Sequence, residues 1–207
     1  MTSLDRTGWT GVTASLGFGL ALAVFGALEP GYSHATKAVS ELGAIGSTYG
    51  LAWNLIGFLG TGLLLTGFGI GVGRAAGSRA VSLLLALFGL AFAATAVPAD
   101  MSNFQSPGSV AHIIASQLTL LFWAPALIWL VFVRRAGAGL RLPAAIALVL
   151  AVGSIIVRGM DILPPGTTQR LSFAVIFIWV LVTGVVLIRR ERRTDWDSRT
   201  DGAIPGR

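Results

Sequence analysis

Gly31-Tyr-Ser-His-Ala-Thr-Lys-Ala-Val-Ser-Glu-Leu-Gly-Ala-Ile-Gly-Ser47 is the longest polar interval in this chain ahead of its tail. Apolar runs of about 20 residues flank it on both sides, the length that crosses a bilayer as a helix. The interval holds the only lysine (Lys37), one of two histidines (His34) and Glu41. On a helix, His34, Lys37 and Glu41 share one face, while Ala35, Val39 and Leu42 take the other. Ser33 suits an N-cap and Gly43 a stop. The stretch reads as a short amphipathic helix at a membrane surface.

Composition supports that setting. The chain of 207 residues is 54% hydrophobic and 12% charged, with 27 glycines. Soluble domains carry about 25% charged residues, so half that share marks a polytopic membrane domain. There are no cysteines, which removes disulfides, thiolate metal sites and cysteine nucleophiles.

Working outward, the first span runs from about Trp9 to Leu28, too long for a signal-peptide core. The second covers about Tyr49 to Val72, with Gly67/Gly71 and Gly69/Gly73 at the spacing that lets helices approach closely in lipid. The third is about Ala80 to Val97, stopped by Pro98. The fourth runs from Val110 to Val133, with His112, Ser116 and Thr119 on one face and a kinking Pro125. The fifth is about Leu142 to Val157, and the sixth about Gln169 to Ile188. The fold expected is therefore an all-α integral membrane protein. It has a six-transmembrane-helix bundle over 9–188, a cytoplasmic N-terminus over 1–8, and a basic, disordered tail over 189–207. No inverted repeat is visible.

Arginines orient the bundle. Arg6, Arg74, Arg79, Arg134, Arg135, Arg141 and those of 189–193 fall on one side, against Lys37, Arg158 and Arg170 on the other. Both termini are read as cytoplasmic, in a cell (inner) membrane. The net charge of +6 is then a topology signal aided by anionic membrane lipid, and no nucleic-acid partner is needed. Both histidines and four carboxylates gather at the outer face.

Tyr32-Ser33-His34 and Val39-Ser40-Glu41-Leu42-Gly43 follow span one. Pro98-Ala99-Asp100 closes span three, His112 opens span four, and Gln169-Arg170 opens span six. In order and placement these pieces resemble the bacterial and archaeal membrane family catalogued as domain of unknown function 998. The resemblance runs from span one through span six and omits the tail. Val97 and Val39 stand where that family often has an aromatic residue and isoleucine. The family brings no established activity, and its distant similarity to six-span proteins of membrane trafficking and stress response is an analogy of fold alone.

Three constellations follow from the outer residues. His34, His112, Asp100 and Glu41 offer ligands for a divalent metal such as zinc. Such an ion would activate water against a lipid ester or amide. His112, Asp100, Glu41 and Ser116 would be the catalytic candidates and Ser40 an accessory, although no local metal spacing is present. Secondly, His34, Lys37, Ser40, Glu41, Asp100, His112, Arg158 and Arg170 could bind a lipid head group or small polar ligand, arginine gripping phosphate or carboxylate. Their structural alternative is loop packing through ion pairs, Arg158 with Asp161 and Arg170 or Lys37 with Glu41 or Asp100. Thirdly, His112 and Ser116 could mimic a Ser-His pair, without an oxyanion motif; Ser116 bonding a backbone carbonyl is the simpler account. No span contains lysine, which excludes a retinal-type photoreceptor. The leading function is binding of a lipid head group or small polar ligand, and the alternative is a metal-dependent lipid hydrolase. The 31–47 segment is expected to fold over the bundle, placing Glu41 beside His112 or Arg170. Removing Glu41 from a buried cation would cost about 3–5 kcal/mol.

Overall fold

The computed structural model describes residues 3–201, with side chains described for 4–191. Helices account for all the regular structure among them. Helix α1 is Ser3–Leu28 and α2 is Gly50–Ala75. Helix α3 is Arg79–Ala94, α4 is Pro107–Phe132, α5 is Ala138–Gly159 and α6 is Pro165–Asp201. Five of these are long and apolar enough to cross a membrane; α3 is apolar but shorter. The long helices fit a multi-pass membrane protein, with leucine, isoleucine and valine turned outward along their flanks.

Each helix packs on the next, and α6 closes back on α1. Glycine decides the tightest of these contacts. A Cβ on Gly69 would sit 2.6 Å from the carbonyl carbon of Leu85, and one on Gly62 would sit 2.6 Å from the Cα of Ala93. Gly73 abuts Ser82 in the same way, so α2 and α3 touch backbone to backbone. Of the two glycine pairs singled out from the sequence, Gly69/Gly73 lies in this seam. Gly71 meets Thr7 of α1, whereas Gly67 has room. The core is aromatic: Phe18 stacks on Phe177 at 4.2 Å and meets Phe92 edge-on at 5.7 Å. Such pairs add about 0.5–1.5 kcal/mol beyond their buried area.

Two expectations change. Helix α6 runs on to Asp201 rather than ending at Ile188, because nothing between Pro165 and Gly202 breaks it. The tail expected to lack regular structure is thus helical over 189–201, and residues 202–207 lie outside the described part. The 31–47 stretch is likewise not one amphipathic helix. It turns at 34–36, is extended at Ala38 and makes a 3-10 turn at Val39–Gly43.

Tertiary bonds explain that change. In an α-helix the Ala35 carbonyl would accept from the Val39 N–H. Instead it accepts from the Thr167 N–H at 2.9 Å, while Val39 donates to the Gln169 side-chain oxygen at 2.7 Å. The Lys37 carbonyl, due to accept from Glu41, is held by Arg170 at 2.8 Å. Helix α6 therefore takes the backbone groups that a local helix would have used. The segment lies across one end of the bundle. Glu29 pins its far side by accepting from Thr48 and Tyr49, and Ile45 donates to the Ala99 carbonyl at 2.9 Å.

Candidate functional site

Beneath that cap lies a cavity of about 260 Å³ lined by polar groups from five segments. The cap gives Ser40, α4 gives His112, Ser116, Gln117 and Thr119, α5 gives Arg158, and α6 gives Gln169 and Ser172. Thr95 adds a hydroxyl just after α3, and Phe58, Phe92, Phe173 and Ile176 make the apolar floor.

Local structure aims these groups. Helix α4 starts at Ser106, which caps it by accepting from the Ser109 N–H, and Pro107 occupies the first turn. The period of α4 then sends His112, Ser116 and Thr119 to one side, as the sequence indicates. His112 is 8% exposed. Its Nδ1 lies 3.1 Å from the Val97 carbonyl, which can only accept, so Nδ1 carries the hydrogen and a neutral ring has Nε2 as acceptor. Phe58 meets this imidazole edge-on at 6.0 Å. It reaches that position from a π-helical stretch, Asn54–Gly60, a wider turn often found at functional sites. Asn54 holds the stretch to the cap by donating to the Gly43 carbonyl at 2.9 Å.

Ser116 donates to the His112 carbonyl at 2.9 Å, so it is not an activated nucleophile paired with the imidazole. Thr119 donates to Ala115 at 2.9 Å and Thr95 to Phe92 at 2.6 Å. These hydroxyls present only lone pairs inward. Arg158 is exposed at the rim, and its guanidinium has no hydrogen-bond or ion-pair partner among the described residues, although its carbonyl accepts from the Asp161 N–H at 3.4 Å. The pairing with Asp161 does not form; Asp161 sits in the following turn with φ 52°.

Of the residues singled out from sequence, the cavity gathers Ser40, His112, Ser116 and Arg158. His34, Lys37, Glu41, Asp100 and Arg170 do not line it. Glu41 forms no ion pair with His112 or Arg170 among the described residues. Its carboxylate accepts from the Ala38 N–H at 2.7 Å and closes its own 3-10 turn. Asp100 is likewise spent locally, accepting from the Ser102 hydroxyl at 2.6 Å and the Ser102 N–H at 2.8 Å. Those bonds hold its pKa below the usual carboxylate value.

Arg170 supports the cap rather than the cavity. It donates to the carbonyls of Lys37 and Gly166, each at 2.8 Å, and to the Tyr32 hydroxyl. Burial raises the Tyr32 pKa, against the pull of the Arg170 charge. His34 packs over Gly26 and edge-on to Tyr32 at 5.3 Å; burial first, then Arg170, lowers its pKa. His34, Glu41, Asp100 and His112 thus have separate partners. Among the described residues no group of three or more His, Cys, Asp or Glu side chains could hold a metal ion. The hydrolase alternative loses the ligand set on which it stood.

Thr95, Gln117, Gln169 and Ser172 also line the cavity, although no charge marks them in the sequence. The usable signal was periodic: Gln169, Ser172 and Ile176 fall at i, i+3 and i+7 and share one face of α6.

No curated protein and no solved structure matches the chain. Residues 12–186 match the family model described as a protein of unknown function (DUF998). That match covers the cap, every residue lining the cavity, α2 to α5 and most of α1 and α6, and the chain belongs to the DUF998 family.

Proposed function

We propose that this is a six-span protein of the cell (inner) membrane, with both ends in the cytoplasm. Its outward-facing cavity binds a lipid head group or a small polar ligand. The cavity of about 260 Å³ under the cap carries the reading. It sets acceptors, donors and one unpaired cation against an aromatic floor, the mixture expected of a ligand site. The opposite end of the bundle supports the orientation. There Arg135 lies against the turn at Gly77, and Arg190 donates to the Ala136 carbonyl at 2.8 Å. Arg74, Arg79, Arg134 and Arg141 come from the same two turns, a density of arginine typical of cytoplasmic loops.

The sixth crossing is α3. Its 16 residues rise about 24 Å, a few ångströms short of a hydrocarbon core. Its neighbours α2 and α4 join it at opposite ends, so the chain changes sides along it. Local thinning of the bilayer accommodates such a helix at modest cost.

Filling the cavity tests the binding role. Ser116 is half-buried and bonds only its own helix, so Ser116→Phe should block the space and leave the bundle folded. Native mass spectrometry of protein extracted in mild detergent should show a retained small molecule in the wild type, shed by the variant. No retained species in the wild type, or equal retention in both, would overturn the reading.

A further inference from the structure

The geometry points to a particular ligand class: a phospholipid whose head group carries O–H or N–H donors beyond its phosphate, entering sideways between α4 and α5. This rests on the binding role above and names its substrate.

The cavity is polarised along its depth. At the rim the groups donate. Arg158 has an unshared guanidinium, and Gln169, whose oxygen is taken by Val39, offers its amide hydrogens. Deeper, the groups accept. Thr95 and Thr119, each 5% exposed, have given their hydrogens to backbone carbonyls, and His112 presents Nε2. That nitrogen has no partner among the described residues, on a side chain more than nine-tenths buried. No carboxylate lines the space, so nothing there neutralises Arg158 except an incoming anion.

A phosphodiester satisfies the rim, since guanidinium binds phosphate oxygens in forked pairs. The acceptors inside then need hydrogens from whatever lies beyond the phosphate. Glycerol hydroxyls or an ethanolamine ammonium supply them; choline has none, and a bare phosphomonoester does not reach them. Leaving those buried acceptors unpaired is the penalty that discriminates.

The lipid source follows from the walls. On the α5 side the cavity is bounded by Arg158 alone. On the α4 side, Ile113, Gln117 and Leu120 also line an apolar furrow that continues along α4 to Ile128. From Ile113 to Ile128 is about 22 Å of helix, enough for one acyl chain. A head group in the cavity and a chain in the furrow make one continuous occupant.

The test uses the full chain in detergent, delipidated and titrated with dioleoyl lipids bearing glycerol, ethanolamine, choline or no alcohol on the phosphate, and with inorganic phosphate. Binding is read by native mass spectrometry and thermal shift. The glycerol and ethanolamine lipids should bind about tenfold or more tighter than the other two, the worth of one added hydrogen bond. Thr119→Val, which keeps the shape and removes the acceptor, should narrow that preference. Arg158→Gln should weaken all four lipids together. Equal binding of all four, still abolished by Ser116→Phe, would overturn this inference and leave the cavity's binding role standing. Inorganic phosphate binding as tightly as the lipids would overturn the lipid source. Absence of binding by any lipid would overturn this inference, while a small molecule retained by the wild type and shed by Ser116→Phe would still uphold the cavity's binding role.

Discussion

Arg170→Gln should release the cap without unfolding the bundle. Arg170 joins α6 to the cap by two bonds, to the Lys37 carbonyl at 2.8 Å and to the Tyr32 hydroxyl. Its third bond, to Gly166, stays within its own helix and does not count toward docking. Hydrogen bonds from charged donors are worth about 1.5–3 kcal/mol each, and a half-buried guanidinium belongs at the lower figure. Two such bonds give about 3 kcal/mol, or about a hundredfold rise in the open population of the cap. The bonds from Thr167 and to Gln169 remain, so α1 to α6 should stay packed. Hydrogen exchange resolves this, because local opening is read amide by amide. The amides of Lys37 and Val39 should lose protection by about two decades, with little change in α2 to α4. Arg170→Lys should recover less than half, since one ammonium nitrogen must replace two guanidinium nitrogens that reach the carbonyl and the phenol separately. Glu41→Gln should cost only about 1 kcal/mol, not the larger figure expected of a broken ion pair, because an amide oxygen can still accept from Ala38. Unchanged protection at 32–41 in Arg170→Gln, or loss spread evenly through the bundle, would refute the assignment of Arg170 as the cap's anchor.

Acid should loosen the same cap. His34 has a folded pKa below its ordinary value of 6.5. Its contribution is therefore full above about pH 6.5 and lost as pH falls through the lowered value. Protection factors over 32–41, corrected for the intrinsic pH dependence of amide exchange, should fall as pH drops below about 6.5, and His34→Gln should remove that dependence. Gly69→Leu should destabilise the α2–α3 seam by about 3 kcal/mol or more, because its Cβ meets backbone that cannot move aside. Gly67→Ala, whose Cβ finds only Thr10 at 3.9 Å, should be near neutral in a denaturation assay. Reporters active only outside the membrane should be silent at Gly77 and Gly137 and active at Ser47 and Gln105; the reverse pattern would refute the orientation.

The helices were legible in the sequence because their signal is local. An apolar run bounded by Pro98, by Pro164-Pro165 or by a basic turn states its own ends, and the helices start and stop within a few residues of those marks, except α6, which runs through its basic turn to Asp201. The cap was not legible in the same way. Its period suggested a helix, and the decision was made 130 residues away, where Thr167, Gln169 and Arg170 claim its backbone groups. The π-helical stretch at Asn54–Gly60 is equally silent in sequence. It re-aims Phe58 toward His112 while Asn54 anchors Gly43.

Charge proved a poor guide to the cavity for a physical reason. In a bundle of low dielectric an ionisable group must be satisfied, and the nearest satisfaction is often backbone. Glu29, Glu41 and Asp100 each cap a neighbouring turn, and Arg170 bridges carbonyls. These residues build the frame. The space they enclose is left to hydroxyls and amides, which lie in apolar helices at small cost because each can bond its own helix. Ser116, Thr119 and Ser172 look like ordinary helix residues one at a time. They line one space only where α4 and α6 face each other, with Arg158 the single charge among the groups around it.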